Sequence, residues 1–489
     1  MTKIIVSVYV LLILGIPAGV RADEKPDSDL PARVATHHAI MLGGSRLDYE
    51  AVAETLAVTD AKGATTASIF TTSYLVDAEA SSHRSVSFVF NGGPGAASVF
   101  LHVGGLGPQI MQTPEHGAVP SPPVHLVDNP ATWLGFTDLV FVDPVGTGFS
   151  RGKGKEENPD KPFWDVRADI ASLGNVIRLW LTRHQRWTSP IYLVGESYGG
   201  FRAAAMAQSL PHDVDVTVSG LVLISPALDL SALHQTERDL LSAAFILPSY
   251  AATAGRDTAE AERFALSDYL VGLAGVQGQP LPGDPFIAKV AEIAGVPPDI
   301  ARRYRGRVPR HVFAREIRRM KGEVISLYDS TISRPAGPED GEWAGDPVLQ
   351  PAVAAYGAAF NAYLAETLGV HTELPYRVLP RDVSQQWNWQ GEREHGSEGL
   401  AMSSLEAALL EHPGTKVLIV NGRYDLVTPY FASRWLVDQL QIPPARRAEI
   451  RLRVYDGGHM LYMRPQSRSL LARDAAELYA ARAIGAPTQ

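Results

Sequence analysis

Residues 194–200 read Val-Gly-Glu-Ser-Tyr-Gly-Gly, directly after the apolar run Ile191 to Leu193. Gly195-x-Ser197-x-Gly199 behind a strand, followed by the small-residue helix start Gly200-Phe-Arg-Ala-Ala-Ala205, matches a nucleophile elbow. A serine held at a strained strand-to-helix turn needs neighbours without bulk, and glycines flank it here. The helix that follows offers a backbone N–H, that of Tyr198, to a developing oxyanion. The bare pattern recurs in unrelated chains, so its partners decide its meaning.

A serine hydroxyl is a weak nucleophile and needs a base that is itself oriented by a carboxylate. In α/β-hydrolases the chain order is Ser, then Asp, then His, with acid and base on loops after late strands. The run Val417 to Val420 leads into Asn421-Gly-Arg-Tyr-Asp425, and Leu452 to Val454 leads into Tyr455-Asp456-Gly-Gly-His459-Met460. Asp425 and His459 are therefore the expected acid and base. Asp456 is an alternative acid, and His37, His38, His102, His371 and His412 are alternative bases. A lone histidine is usually a satisfied structural residue, and among these candidates His459 alone follows a late strand through a glycine turn. A second oxyanion donor is expected from a glycine-rich loop after an early strand. Val86 to Phe90 ends in Asn91-Gly-Gly-Pro-Gly95, which assigns that donor to the Gly93 amide.

The elements that must position these groups are legible in outline. Residues 23–40 read as a loose, polar leader. From Tyr49 to Val76 apolar residues alternate around the turn Asp60-Ala-Lys-Gly63, which predicts an antiparallel hairpin. Short apolar runs recur at Val86–Phe90, Leu139–Val142, Ile191–Val194, Leu221–Ile224, Val417–Val420 and Leu452–Val454, with the length and β-branching of buried strands. Val166, Ile170, Leu173, Ile177 and Leu181 share one face of a helix after Asp165, and Leu471, Ala475, Leu478 and Ala481 predict a terminal helix. Alternating strands and helices imply an α/β fold with a mostly parallel sheet covered on both faces. The alternation lapses between about Leu230 and Arg381, a stretch with turns at 280–284 and 335–341. The expected organisation is an α/β-hydrolase core over 23–229 and 386–489, with an inserted, mainly helical cap over 230–385.

At this point the blocks Asn91-Gly-Gly-Pro-Gly95, Asp143-Pro-Val-Gly-Thr-Gly-Phe-Ser150 and Gly195-Glu-Ser-Tyr-Gly-Gly200, then the Asp425 and Gly458-His459-Met460 segments, resemble the serine carboxypeptidases in that order. The resemblance runs from residue 91 to residue 460. It implies that Asn91 and Glu196 hold the C-terminal carboxylate of a peptide. Two carboxyls meet closely only by sharing a proton, so Glu196 would act in its neutral form and an acidic optimum would follow. The sequence departs from the family at Val89, where a tryptophan is usual, and at Ala96-Ala97-Ser98, where Cys-Ser-Ser is usual. The expected reaction is release of C-terminal amino acids from peptides through an acyl-enzyme on Ser197. An esterase or acyltransferase is the nearest alternative on the same machinery, and a non-catalytic binding or chaperone-like protein a more distant one.

Bulk properties bound these readings. The chain has 489 residues, a formal net charge of -9 and no cysteine. With that acidic balance, nucleic acid is not expected as a partner. Without cysteines there are no disulfides and no thiolate metal site, and the chemistry requires no cofactor; no His-Glu-x-x-His cluster occurs. Lys3 precedes an apolar stretch from Ile4 to Val20, and Val20-Arg21-Ala22 has the form of a cleavage site. Residues 1–22 thus read as a secretory signal peptide, with Pro17 and Gly19 disfavouring a retained anchor. The expectation is an exported protein, periplasmic or secreted, with no membrane anchor after cleavage and with a peptide substrate bearing a free C-terminus. The resemblance also admits a homodimer.

Overall fold

A computed structural model describes residues 30–77, 83–233, 239–275, 283–337, 345–389 and 400–481. The expected signal peptide at 1–22 lies outside the described residues, as do most of the expected turns at 280–284 and 335–341. Nine strands form the body of one sheet: β1 (Val34–Leu42), β2 (Ser45–Thr59), β3 (Thr65–Val76), β4 (Val86–Phe90), β5 (Asp138–Val142), β6 (Ile191–Glu196), β7 (Val218–Ile224), β8 (Lys416–Gly422) and β9 (Arg451–Tyr455). They lie in the order β1-β2-β3-β5-β4-β6-β7-β8-β9. The first three strands and the β3/β5 pair are antiparallel, and from β5 onward every pair is parallel.

The sheet alternates its side chains between two cores, as pleating requires. Phe88 and Phe90 of β4 enter one with helices α1 (Val166–Arg183), α2 (Tyr198–Asp213) and α4 (Leu400–Glu411); Val89 enters the other with α3 (Leu349–Glu366) and α5 (Pro465–Ala480). Helix α1 starts where Asp165 accepts the Arg167 and Ala168 amides, and all five residues of its predicted apolar face are buried. Between β7 and β8 the described residues add no strand to this sheet. They contain several helices, a short hairpin of Glu323–Ile325 with Ser333–Pro335, and α3, which packs on the sheet itself.

One sequence expectation is corrected. Residues 34–42 are not leader but the outermost strand, paired with β2 from Val34↔Ala53 to Leu42↔Ser45. Its burial alternates between half-buried and exposed, because an edge strand packs only one face, so no continuous apolar run announces it.

The topology places the chemistry. β4 lies between β5 and β6, where the strand order reverses, and in such sheets ligands bind outside the carboxyl ends of the strands at that reversal. In register, Phe90 faces Gly195 and Ile224 faces Glu196. One residue further on, Asn91 therefore stands beside Glu196.

Candidate active site

Ser197 follows β6 and precedes α2 with φ 57° and ψ -123°, outside the favoured regions for a residue with a Cβ. The turn is tight enough to require its glycines. A Cβ on Gly195 would lie 2.0 Å from the Gly199 carbonyl oxygen, and one on Gly92 would lie 2.6 Å from the Tyr198 nitrogen. The loop after β4 thus rests directly on the elbow, which a side chain at Gly92 would prevent. Below the elbow, buried Arg202 pairs with Asp169 at 2.7 Å, donates to the Asn91 carbonyl at 2.8 Å and lies over the Tyr198 ring. These contacts tie α2 to the β4 loop.

Asp425 and His459 meet behind the serine. His459 Nδ1 donates to Asp425 Oδ2 at 2.8 Å, and both side chains are almost wholly buried. Asp425 also accepts from the Val427 and Thr428 amides at 2.7 and 3.0 Å, both on Oδ1, and from the Thr428 hydroxyl at 2.7 Å on Oδ2. Burial pulls the His459 pKa down, but the charge and hydrogen bond of Asp425, with Glu196 adding to them, hold it above its ordinary value. The alternatives separate from this site. Asp456 is mostly exposed and faces Arg423 at 3.6 Å. His102 is buried against Phe141, centroids 3.9 Å apart, bonded to Tyr74 and held neutral by desolvation. His37 and His38 lie on β1, and His371 and His412 follow α3 and α4.

Ser197 and His459 line one small cavity of about 100 Å³ together with Asn91, Gly93 and Glu196. The seven candidate residues from the sequence are thus gathered here: five touch this cavity, Asp425 backs His459, and Tyr198 carries the first amide of α2. That amide has no acceptor within its own helix. Gly93 has φ +100°, a conformation that turns the loop sharply beside the serine. A larger cavity of about 470 Å³ shares Gly93, Tyr328, Leu349 and Leu379 with the first.

Glu196 is buried beside the serine. Its Oε2 accepts from Asn91 Nδ2 and from the Tyr462 hydroxyl, the latter at 2.8 Å. Burial is the main cause that pushes its pKa up to about 7, against the pull of His459 and of the two donors. Tyr462 was not foreseen: it sits three residues past His459, inside Met-Leu-Tyr-Met, which reads as core packing.

Two further features position the site. Asp143, which opens the block Asp143–Ser150, accepts the amide and hydroxyl of Ser98, both at 2.8 Å, and so fastens the far end of the Asn91–Ser98 loop. Asp143→Ala leaves two buried donors unpaired. It is expected to cost about 1–3 kcal/mol per group and to lower turnover through displacement of Gly93; denaturant unfolding together with kcat checks both effects. From the insertion, Leu327 O accepts the Leu426 amide at 3.0 Å, Tyr328 O accepts the His459 amide, and Asp329 pairs with Arg464 at 2.9 Å. The segment 326–331 therefore braces the acid loop and the base loop together.

A reversed sheet of this order, with a serine elbow and an Asp–His pair after its late strands, is the α/β-hydrolase fold. A family model for the serine carboxypeptidases matches residues 66–244, so the resemblance read from the motifs holds across the stretch that carries Asn91, Gly93, Glu196, Ser197 and Tyr198. "Serine carboxypeptidase-like 8" of Arabidopsis thaliana is 30% identical over 123 residues, which cover 24% of this chain and 26% of that protein. "Carboxypeptidase sxa2" of Schizosaccharomyces pombe is 25% identical over 160 residues, covering 32% of this chain and 28% of the relative. The aligned part thus spans about a quarter of the length of these curated relatives. Among the described residues no helix is long and apolar enough to cross a membrane.

Proposed function

We propose that the protein is a serine carboxypeptidase that releases C-terminal amino acids from peptides. The observation that carries this reading is the buried Glu196–Asn91 pair beside Ser197. An acid raised to about 7 can remain neutral and donate to a carboxylate, which nothing in plain ester hydrolysis requires. In this reading Ser197 Oγ attacks the last peptide carbonyl and His459 takes its proton. The amides of Gly93 and Tyr198 receive the tetrahedral oxyanion, and His459 returns the proton to the leaving amine. Water, activated by the same histidine, then hydrolyses the acyl-enzyme. Export through residues 1–22 belongs to the same reading.

The test compares two N-blocked peptides that differ only in ending as a free acid or an amide. Release from the free acid should dominate, and its kcat/KM should fall as pH rises through about 7, where Glu196 loses its proton and repels the substrate carboxylate. Glu196→Gln keeps a donor at every pH, so that alkaline fall should disappear while the preference for the free acid remains. Equal rates on acid and amide would show that the pair does not read a carboxylate.

One observation favours the second reading, an esterase or acyltransferase. Val89, at the position where the family's tryptophan helps to hold the carboxylate, is wholly buried in the core on β4 and reaches neither cavity. Inert peptides with a readily cleaved simple ester would select that reading.

A further inference from the structure

Glu196 has two oxygens, and the structure distinguishes them. The amide of Asn91 is oriented by the backbone: its Oδ1 accepts the Leu101 N–H at 2.9 Å, a position only oxygen can fill. Nδ2 is then the atom turned to Glu196, and it donates to Oε2. Tyr462 meets the same oxygen with its hydroxyl at 2.8 Å. The tyrosine is itself held. It is wholly buried, its ring lies where a Cβ on Gly105 would come within 3.2 Å, and its carbonyl accepts from Arg468 Nη1 at 3.1 Å.

We propose that Tyr462 is a positioning residue for Glu196: with Asn91 it keeps Oε2 an acceptor, so that the neutral acid carries its proton on Oε1 and offers it to a substrate carboxylate. The proposal rests on the preceding reading that Glu196 meets such a carboxylate. No covalent step is involved. A carboxyl oxygen already taking two donors is the poorer site for a proton, and the other oxygen becomes the donor. The remaining charged or titratable groups that act on Glu196 are His459, three residues before Tyr462, and Asp425 on the loop after β8. Glu196 in turn acts on the phenols of Tyr356 on α3 and Tyr328 in the insertion. Of the three tyrosines around Glu196, Tyr462 is the one whose hydroxyl bonds to the carboxyl.

Tyr462→Phe removes that donor and keeps the ring. A donor favours the ionised carboxyl, so its loss should move the Glu196 titration to higher pH. The movement can be followed by carbon NMR of glutamate-labelled protein, with Glu196→Gln to assign the signal. Site-specific 3-fluorotyrosine at 462, a stronger donor, should move the titration the opposite way, and it covers the case in which the phenylalanine variant does not fold. With the proton free to occupy either oxygen, KM for the free-acid peptide should rise on the order of tenfold, a larger loss than any on a simple ester. An unmoved titration in both variants, or equal losses on peptide and ester, would overturn the proposal. A shifted titration in an enzyme that shows no preference for free acids would uphold the Tyr462–Glu196 coupling and remove the carboxypeptidase reading instead.

Discussion

Ser197→Ala is expected to lower kcat by about a million-fold on every substrate the protein turns over, because nucleophile and base act as a unit and the residual rate comes from the oxyanion donors and binding alone. The same position should show the opposite effect on stability. Ser197 holds φ 57° and ψ -123°, and a residue kept in a sparsely populated region costs about 1–3 kcal/mol. Glycine has no Cβ to strain, so Ser197→Gly should be inactive yet more stable than the parent by roughly 1 kcal/mol, while Ser197→Ala keeps the strain and gains little. Steady-state kcat of Ser197→Ala beside the parent and denaturant unfolding of the two variants measure both quantities. A Ser197→Ala protein with substantial residual turnover would place the nucleophile elsewhere, and a less stable Ser197→Gly would mean that the turn is not strained.

Asp425→Asn is expected to lower kcat by about ten-thousand-fold with the fold intact. The cause can be read atom by atom. Oδ1 of Asp425 accepts the Val427 and Thr428 amides, so an asparagine must keep its own oxygen there. Its NH₂ then takes the place of Oδ2 and points a donor at His459 Nδ1, which must become the acceptor. The histidine proton moves to Nε2, and the nitrogen that should accept the serine proton no longer can. Asp425→Ala should differ in kind, because it leaves the two amides unpaired in a buried site and so also lowers stability by about 1–3 kcal/mol per group. Circular dichroism and a melting curve beside kcat separate the two. A mild loss for Asp425→Asn coupled with a large one for Asp456→Asn would transfer the role to the exposed aspartate.

The contrast between Asp425 and Asp456 illustrates how far linear reading reaches. Both acids lie in turns just after late strands, and chain order alone leaves either as partner to His459. Parallel pairing of β8 with β9 brings the two loops side by side, and burial then separates them: one acid is enclosed with three donors, the other faces water and Arg423.

Composition and period determined a good deal by themselves. A strand buried on both faces must be continuously apolar, so β4 to β8 could be located to within a few residues, whereas the edge strand β9, with Arg453 exposed at its centre, was marked by the glycine turn that follows it. A strained serine turn must be flanked by glycines, so the elbow declared itself, and strands ending in Asn91, Asp425 and His459 segments marked the loops that carry the candidate site residues. Tertiary structure decided what local pattern cannot encode. The edge strand β1 needs only half its residues apolar and passed for leader. Asn91 and Glu196 are 105 positions apart and meet only because β4 and β6 are neighbours at the sheet's reversal. Tyr462 has the composition of a core residue, and its hydroxyl acquires meaning only from the carboxyl it reaches. The brace of 326–331 on the Asp425 and His459 loops is made of backbone hydrogen bonds and one ion pair between segments distant in the chain. Side-chain pattern reports whether a residue is buried; which buried groups meet is set by strand order and register.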